Sequence, residues 1–210
     1  MTGFLARPLK GAAGAALAVV VLGGCVHVTE ATSINGNGSS MVTETLTFNP
    51  KVLSELGGEG KILKNFTVSA DQHLPGHVKA STFTDSAGWK GVKVEMALTN
   101  LSQLQKVETS ANGGGSPPFS KFSISHAGSH WSLAGEVNKG FASQGGSGTA
   151  PKGSGGPTLA QLEAAGFTYV ISFRLPGKVV SDNATSRSGN TLSWNMLQDH
   201  SVVKVAWTTG

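Results

Sequence analysis

The sequence predicts an α+β protein: a single domain in which two or three short helices pack on a curved antiparallel sheet. Three observations predict this class. Short segments alternate apolar with polar residues and are separated by Gly, Pro or Asn turns, which is typical of half-buried strands. Three other short segments carry N-cap and stop signals of helices. Finally, a composition with 29 glycines and only 13% charged residues favours an extracytoplasmic, β-rich protein.

The first predicted elements are two strands between His27 and Phe48. Their turn, 35–38, reads Asn-Gly-Asn-Gly, and these residues tolerate the positive φ angles of tight hairpins. A short helix follows, with Asn49 as N-cap, Pro50 at the first helical position and Gly57 as its stop.

The middle of the chain continues this alternation. HVKASTFTD, from His77, and VKVEMALT, from Val92, are predicted strands with a turn at 88–91 between them. Asn100 then caps a helix, LSQLQKVE, in which Gln103 is the capping partner.

The last third contains a second predicted hairpin from Phe119 to Asn138, with its turn at 126–129. Residues 142–157 are rich in Gly, Ser and Pro and predict a flexible loop. A helix capped by Thr158 and ended by Gly166 follows. Three strands close the chain: FTYVISFRLP, TLSWNM and SVVKVAW.

The N-terminus has the pattern of a secretory leader. Arg7 and Lys10 precede an apolar run, 11–24, that is too short to span a bilayer as a helix. The run ends in Leu22-Gly23-Gly24-Cys25, which resembles a bacterial lipobox. We therefore interpret residues 1–24 as a lipoprotein signal peptide and 25–210 as the extracytoplasmic domain.

Cys25 is the only cysteine, so it cannot form an internal disulfide. The resemblance to a lipobox implies that its thiol receives a diacylglyceryl group and anchors the protein on the extracytoplasmic face of the cell membrane. Several acyl chains anchor a protein in a membrane far more firmly than a single chain does. The alternatives are an ordinary signal peptide with a chance cysteine, or an uncleaved anchor.

The charge balance argues against a nucleic-acid partner. After the leader is removed, 14 Lys and Arg face 12 Asp and Glu, and no cationic run is long enough for a nucleic-acid footprint. Beyond the leader, no apolar stretch approaches the ~20 residues that a spanning helix needs.

No catalytic signature is present in the sequence. There is no G-x-S-x-G elbow, Lys178 lacks the surroundings of a phosphate loop, and the carboxylates are scattered. We therefore predict a protein that is not an enzyme, has no cofactor and has no catalytic residues. A hydrolase whose site is assembled only by folding is the remaining alternative.

Two histidine pairs share one spacing, His73 with His77 and His126 with His130. If both turns met in space, four imidazoles could bind zinc or copper. Pro75 and Gly76 prevent a helical arrangement of the first pair, and no acid or thiol lies beside either pair. We predict no metal site.

Three stretches carry a resemblance to actinobacterial LppM-type envelope lipoproteins: CVHVTEATSINGNGSS, HVKASTFTDSAGWKGVKVEMALTNLSQL and YVISFRLPGKVVSDNATSRSGNTLSWNM. The resemblance implies a curved antiparallel sheet in an α+β fold, exposure at the cell envelope and binding of phosphatidylinositol mannoside-like lipids. It implies no catalytic residues. Members of this family commonly continue into a C-terminal membrane helix and a basic tail, whereas this chain ends at Gly210, so Cys25 is expected to provide the anchor.

Our first hypothesis is a non-enzymatic envelope lipoprotein that binds lipid or glycolipid in an apolar cavity between sheet and helices. The residues expected to line this cavity are Phe48, Val52, Leu56, Phe83, Leu101, Leu104, Tyr169, Ile171 and Phe173. The alternative is an interaction module with a filled core that docks an envelope or secretion partner without a small ligand.

Overall fold

The computed structural model describes residues 26–55, 58, 60–61, 77–110, 117–138, 163–198 and 202–210. In this part of the chain there are eleven strands and two short helices. The strands are β1 (Val26–Ile34), β2 (Ser40–Phe48), β3 (His77–Thr84), β4 (Lys90–Leu98), β5 (Phe119–Ala127), β6 (His130–Val137), β7 (Thr168–Arg174), β8 (Lys178–Asp182), β9 (Ser186–Ser188), β10 (Thr191–Asn195) and β11 (Val202–Thr208). The helices are α1 (Pro50–Glu55) and α2 (Leu101–Thr109).

The strands form two sheets. The larger one has seven strands in the order β3-β4-β2-β1-β7-β10-β9, and the smaller one has four in the order β5-β6-β11-β8. In the larger sheet β1 and β7 run parallel, with Val28 opposite Tyr169, while the other neighbours are antiparallel. The parallel pair therefore lies in the middle of an otherwise antiparallel sheet.

The predicted α+β class, with two or three helices packed on one antiparallel sheet, is wrong. The described chain is mostly β, and it contains two sheets rather than one. With six and nine residues, α1 and α2 offer too little apolar surface to cover seven strands. Alternation predicts a strand but says nothing about the sheet that the strand joins, because both sheets have the same period of two.

Aromatic side chains of the two sheets meet in the core. Phe173 of β7 and Phe122 of β5 stack with ring centroids 5.8 Å apart. Trp194 of β10 meets Phe173 edge-on at 6.0 Å. Within the smaller sheet Trp131 and Trp207 stack at 5.5 Å. Each such pair contributes roughly 0.5–1.5 kcal/mol beyond the area that it buries.

The first predicted hairpin is present. Strands β1 and β2 pair from Val26 opposite Phe48 to Ile34 opposite Ser40. Gly38 has a φ of 83° in the turn and donates its N–H to the Asn35 carbonyl at 2.9 Å. That backbone conformation favours glycine, as the sequence pattern indicated.

The turn between β3 and β4 lies earlier than predicted. Asp85 accepts the backbone N–H groups of Ala87 and Trp89 at 2.8 and 2.9 Å, and Gly88 has a φ of 80°. The turn therefore forms at 85–88, because the Asp85 side chain can bond to the backbone two and four residues later. The second predicted hairpin, β5–β6, has its turn where the sequence placed it.

Helix α2 has the predicted cap. Asn100 Oδ1 accepts the Gln103 N–H at 3.0 Å, and Gln103 Oε1 accepts the Thr99 N–H at 2.7 Å. These two bonds satisfy backbone donors before the first turn closes, as in a capping box. The helix packs mainly against β5.

The predicted loop at 142–157 and the predicted N-cap Thr158 lie outside the described residues. The end of that predicted helix is described: Gly166 has a φ of 78° and donates its N–H to the Glu163 carbonyl at 2.8 Å.

We expect Gly91→Ala to destabilise the fold. A Cβ at this buried position of β4 would collide with the backbone carbonyl oxygen of Leu46 and would lie 2.7 Å from the Phe83 ring. Since a backbone atom cannot move aside cheaply, we expect a loss of ~1–3 kcal/mol in the free energy of unfolding, measured by urea denaturation. The control is Gly36→Ala, where a Cβ meets nothing within 4 Å. Equal losses from both variants would contradict this account.

Candidate functional site

A cavity of about 400 Å³ lies between two hairpin tips and the start of α2. The β1–β2 turn, the first turn of α2 and the β5–β6 hairpin each contribute to its wall. We call it the hairpin-tip cavity. It is lined by Gly36, Asn37, Gly38, Asn100, Leu101, Ser102, His126 and Trp131.

Close packing between the first hairpin and α2 shapes one wall. A Cβ on Gly38 would lie 3.4 Å from Leu101 Cγ, so the turn approaches the helix closely. Glycine at this position serves two purposes, because the φ of 83° also disfavours a side chain.

Two aromatic rings form the opposite wall. His126 and Trp131 face each other across the β5–β6 ladder, and their ring centroids are 4.5 Å apart. Trp131 is buried, whereas His126 is exposed. The other neighbour of Trp131 is Trp207, so the indole is held within an aromatic stack and the imidazole is its outer member.

The side-chain oxygens of both asparagines that line the cavity already accept hydrogen bonds. The side-chain oxygen of Asn37 already accepts from Ser39 N–H and Oγ at 3.0 and 2.7 Å. The side-chain oxygen of Asn100 accepts the Gln103 N–H as part of the helix cap. The Asn37 amide NH₂ and the Ser102 hydroxyl are therefore the groups best placed to donate to a ligand.

The apolar residues predicted to line a cavity are distributed over several places. Phe48, Leu104, Ile171 and Phe173 are fully buried in the packed core, and Tyr169 is nearly so. Leu101 is the one that lines the hairpin-tip cavity. Phe83 is half-buried beside Gly91, on the face of β4 opposite Val92 and Val94. The Val52 side chain and Leu56 lie outside the described residues.

The histidine pairs do not form a common site in the described chain. His77 begins β3 in the larger sheet, and His126 and His130 flank the β5–β6 turn in the smaller one. His73 lies outside the described residues. No group of three or more His, Cys, Asp or Glu residues suited to a metal ion occurs among those that are described.

The lipobox residues Leu22, Gly23, Gly24 and Cys25 also lie outside the described residues. Strand β1 begins at the next residue, Val26, and the cavity lies beyond its other end, at Gly36. At ~3.3 Å per residue, β1 is roughly 26 Å long. Cys25 and the hairpin-tip cavity are therefore associated with opposite ends of the same strand.

Three carboxylates cluster inside the fold, a feature that the sequence analysis missed. Glu30 of β1 lies directly opposite Glu44 of β2. Glu108 of α2 is 1% exposed, and its Oε1 accepts from the Thr32 hydroxyl at 3.4 Å. We call Glu30, Glu44 and Glu108 the carboxylate cluster. The sequence did contain a signal, because Glu30 and Glu44 occupy positions of the alternation that otherwise place apolar residues inside.

The pKa values of all three carboxyl groups are raised. Burial, then the charge of Glu108 and a hydrogen bond with it, raises the pKa of Glu30 well above its usual range. Burial, then the charge of Glu30, raises the pKa of Glu44 to about 7. Burial raises the pKa of Glu108 to about 7, although its hydrogen bonds with Glu30 and Thr32 act in the opposite direction. Burial and these three carboxylates also raise the pKa of Tyr169.

A proton shared between the carboxyl groups of Glu30 and Glu108 explains how the two acids can lie side by side in the core. Glu30 Oε1 and Glu108 Oε2 are buried without a donor in the described structure. One carboxyl group can donate to the other only if it is protonated.

The described chain is a mostly-β protein of two sheets whose aromatic side chains meet in the core, with a cavity between two hairpin tips and a helix. The LppM domain matches residues 41–206, so the chain belongs to the LppM domain family. Membership of this family fits a membrane-associated lipoprotein of the cell envelope. Neither helix in the described part reaches the length and apolar character that a bilayer-spanning helix requires.

One solved structure supports the fold. The NMR structure of the folded domain of LppM from Mycobacterium tuberculosis matches with a TM-score of 0.50 and 14% sequence identity. The match covers 89% of this chain and 91% of the other. At this identity the likeness concerns the fold alone. No curated protein sequence matched the chain.

We expect the stability of the protein to fall as pH rises. Because the folded pKa values of Glu44 and Glu108 are about 7, against an ordinary value of 4.5, the native state binds more protons than the unfolded chain between these values. The free energy of unfolding should therefore decrease through this pH window. Urea denaturation at several pH values measures it.

The variant Glu44→Gln isolates one part of this effect. Removing a half-buried charge opposite Glu30 should raise the free energy of unfolding by on the order of 1–2 kcal/mol at about pH 8 and change it little at about pH 5. Glu95→Gln is the control, since Glu95 lies on the other face of the sheet in an ion pair with Lys93. An unchanged pH dependence in Glu44→Gln would refute the assignment.

Proposed function

We propose that this protein is a non-enzymatic lipoprotein of the bacterial cell envelope, held on the extracytoplasmic face of the membrane by acylated Cys25, and that it binds a glycolipid of the phosphatidylinositol mannoside type. The hairpin-tip cavity would hold the polar headgroup. The observation that carries this proposal is the cavity itself: about 400 Å³, with polar donors on one wall and stacked rings on the other.

The size and chemistry of the cavity favour a headgroup rather than acyl chains. Its volume falls within the ~300–1,000 Å³ of small-molecule sites. Of its lining residues only Leu101 and Trp131 are large and apolar. A hydroxyl-rich ligand would accept hydrogen bonds from the Asn37 amide and the Ser102 hydroxyl, and one of its faces could pack against the exposed His126 ring.

The position of the cavity supports the same choice. Acylation of Cys25 would hold the start of β1 at the membrane, and the cavity lies about one strand length from that point. Acyl chains stay in the bilayer, so the part of a glycolipid that reaches the cavity is its extended headgroup. A protein lying with β1 along the membrane surface would present the cavity to such headgroups.

Among the described residues, those that line the cavity do not form a catalytic arrangement of nucleophile, base and orienting carboxylate. Ser102 and His126 both line it, but no hydrogen bond joins them. No carboxylate among the lining residues can orient the imidazole, and the buried carboxylates Glu30 and Glu108 lie in the core. A binding role therefore fits this wall better than hydrolysis.

We expect Cys25→Ser to leave the protein as an unprocessed precursor without acyl chains. Serine cannot form the thioether on which acylation depends, so lipid attachment and the cleavage before residue 25 would both be lost. Metabolic labelling with palmitate and immunoblotting for the size of the protein measure the change. Thr29→Ser, at an exposed position of β1, serves as the control. Palmitate labelling of the Cys25→Ser protein, or its processing to the size of the wild-type protein, would rule out the lipid anchor.

We expect His126→Ala to weaken glycolipid binding by about tenfold, the effect of losing roughly 1.4 kcal/mol of contact energy. The measurement is cosedimentation of the protein with phosphatidylcholine vesicles that contain phosphatidylinositol mannoside. His77→Ala is the matched control, since His77 is an exposed histidine at the edge of the larger sheet and does not line the cavity. Equal binding by both variants, or equal binding to vesicles without the glycolipid, would count against the cavity as the site.

A further inference from the structure

Helix α2 connects the hairpin-tip cavity with the carboxylate cluster. Its first turn contributes Leu101 and Ser102 to the cavity wall. Its last turn carries Glu108, which contacts Thr32 on the inner face of β1. The two sites are about 10 Å apart along the helix axis, at 1.5 Å per residue. One short helix therefore contributes side chains to both sites.

The groups that face the carboxylate cluster offer no positive charge. Glu30 comes from β1, Glu44 from β2, Glu108 from α2 and Tyr169 from β7. The adjoining inner faces of β4 and β10 are apolar, with Val92, Val94, Met96, Leu192 and Trp194. The nearest described charges on these strands, Lys93 and Glu95, project from the other face and pair with each other. On β5, against which α2 mainly packs, the titratable groups are Lys121, which pairs with Glu136, and His126, which lines the cavity.

We propose that the protonation state of the carboxylate cluster controls the docking of α2 on β1, and through it the shape of the hairpin-tip cavity. The inference rests on the proposed function of the cavity as a ligand site. In the protonated form Glu30 and Glu108 share a hydrogen bond and hold the last turn of α2 against the sheet. In the deprotonated form like charges face each other at this contact, with no described cation between them, and the last turn of α2 moves away from β1 while the helix stays packed on β5.

The geometry makes the cavity sensitive to this change. The Asn100–Gln103 cap keeps the first turn of α2 intact, so the helix moves as a unit. Leu101, which packs closely against Gly38, would then move away from the β1–β2 turn. Ligand binding is therefore tighter in acid than in alkaline solution.

The first experiment needs no ligand. Amide signals of α2 are followed by NMR between about pH 5.5 and 8.5 on the full chain in detergent micelles. We expect the signals of 101–109 to shift together in the wild-type chain, with a midpoint near neutral pH. In Glu108→Gln and Glu30→Gln this shift should disappear, because the introduced amide donates to the remaining carboxylate at every pH. Should one variant fail to fold, the other carries the same test.

The matched control is Glu136→Gln. Glu136 lies on β6 in an exposed ion pair with Lys121, away from the cluster. The α2 signals of the Glu136→Gln protein should titrate as in the wild type. Signals of α2 that stay constant over this pH range, or that move equally in Glu108→Gln, would overturn the inference.

The second experiment measures binding to phosphatidylcholine vesicles containing phosphatidylinositol mannoside. We expect roughly tenfold weaker binding at about pH 8.5 than at 5.5, a ratio typical of allosteric coupling. The Glu108→Gln protein should bind these vesicles equally at both pH values. Vesicle binding that is independent of pH in the wild type would overturn the inference while the proposed function stands. A titrating α2 without vesicle binding at either pH would refute the proposed ligand and support the docking of α2 by protonation.

Discussion

The pairing of β1 with β2 on one side and β7 on the other holds the larger sheet together. The β1–β2 pair is local, but the β1–β7 pair joins residues far apart in the chain: Ser172 Oγ donates to the Glu30 carbonyl across 142 positions. Without this parallel contact, the sheet would divide into β3-β4-β2-β1 and β7-β10-β9. The same contact brings Ile171 and Phe173 to the inner face of the sheet, where Phe173 stacks against Phe122 of the smaller sheet.

Strand β1 also carries an unfavourable feature of the fold. Burying Glu30 opposite Glu44 and beneath Glu108 places three acids where neighbouring positions hold apolar side chains. A buried polar atom without a partner costs about 1–3 kcal/mol, and Glu30 and Glu108 each leave one such oxygen. A protein selected for stability alone would place apolar residues there. Such departures from the local pattern concentrate at functional sites, which is why the contact between α2 and β1 stands out.

In the proposed function, the anchor and the cavity belong to the two ends of β1. The strand begins directly after Cys25 in the sequence, and at its other end the hairpin turn packs closely against α2. This separation would let acyl chains on Cys25 remain in the bilayer while the cavity binds a polar group outside it. Phe48, Ile171 and Phe173 are fully buried in the packed core. Under this proposal, the affinity for a lipid would come from the cavity and not from apolar space inside the core.

Local patterns were sufficient for most of the elements: the Asn-Gly turn between β1 and β2, the Asn100 cap of α2 and the alternation in β7 lie where neighbouring residues favour them. The short strands β8 and β9 were not predicted. The lipobox reading depends on adjacent residues in the same way. The division into two sheets and the parallel β1–β7 pair depend on contacts between distant segments, which a period of two leaves undetermined. For the same reason Leu101 and His126, 25 positions apart, form one cavity, and Glu30, Glu44 and Glu108 form one cluster, only after folding. Periodicity reports whether a side chain points inward, whereas its neighbours there are decided by which strands and helices pack together.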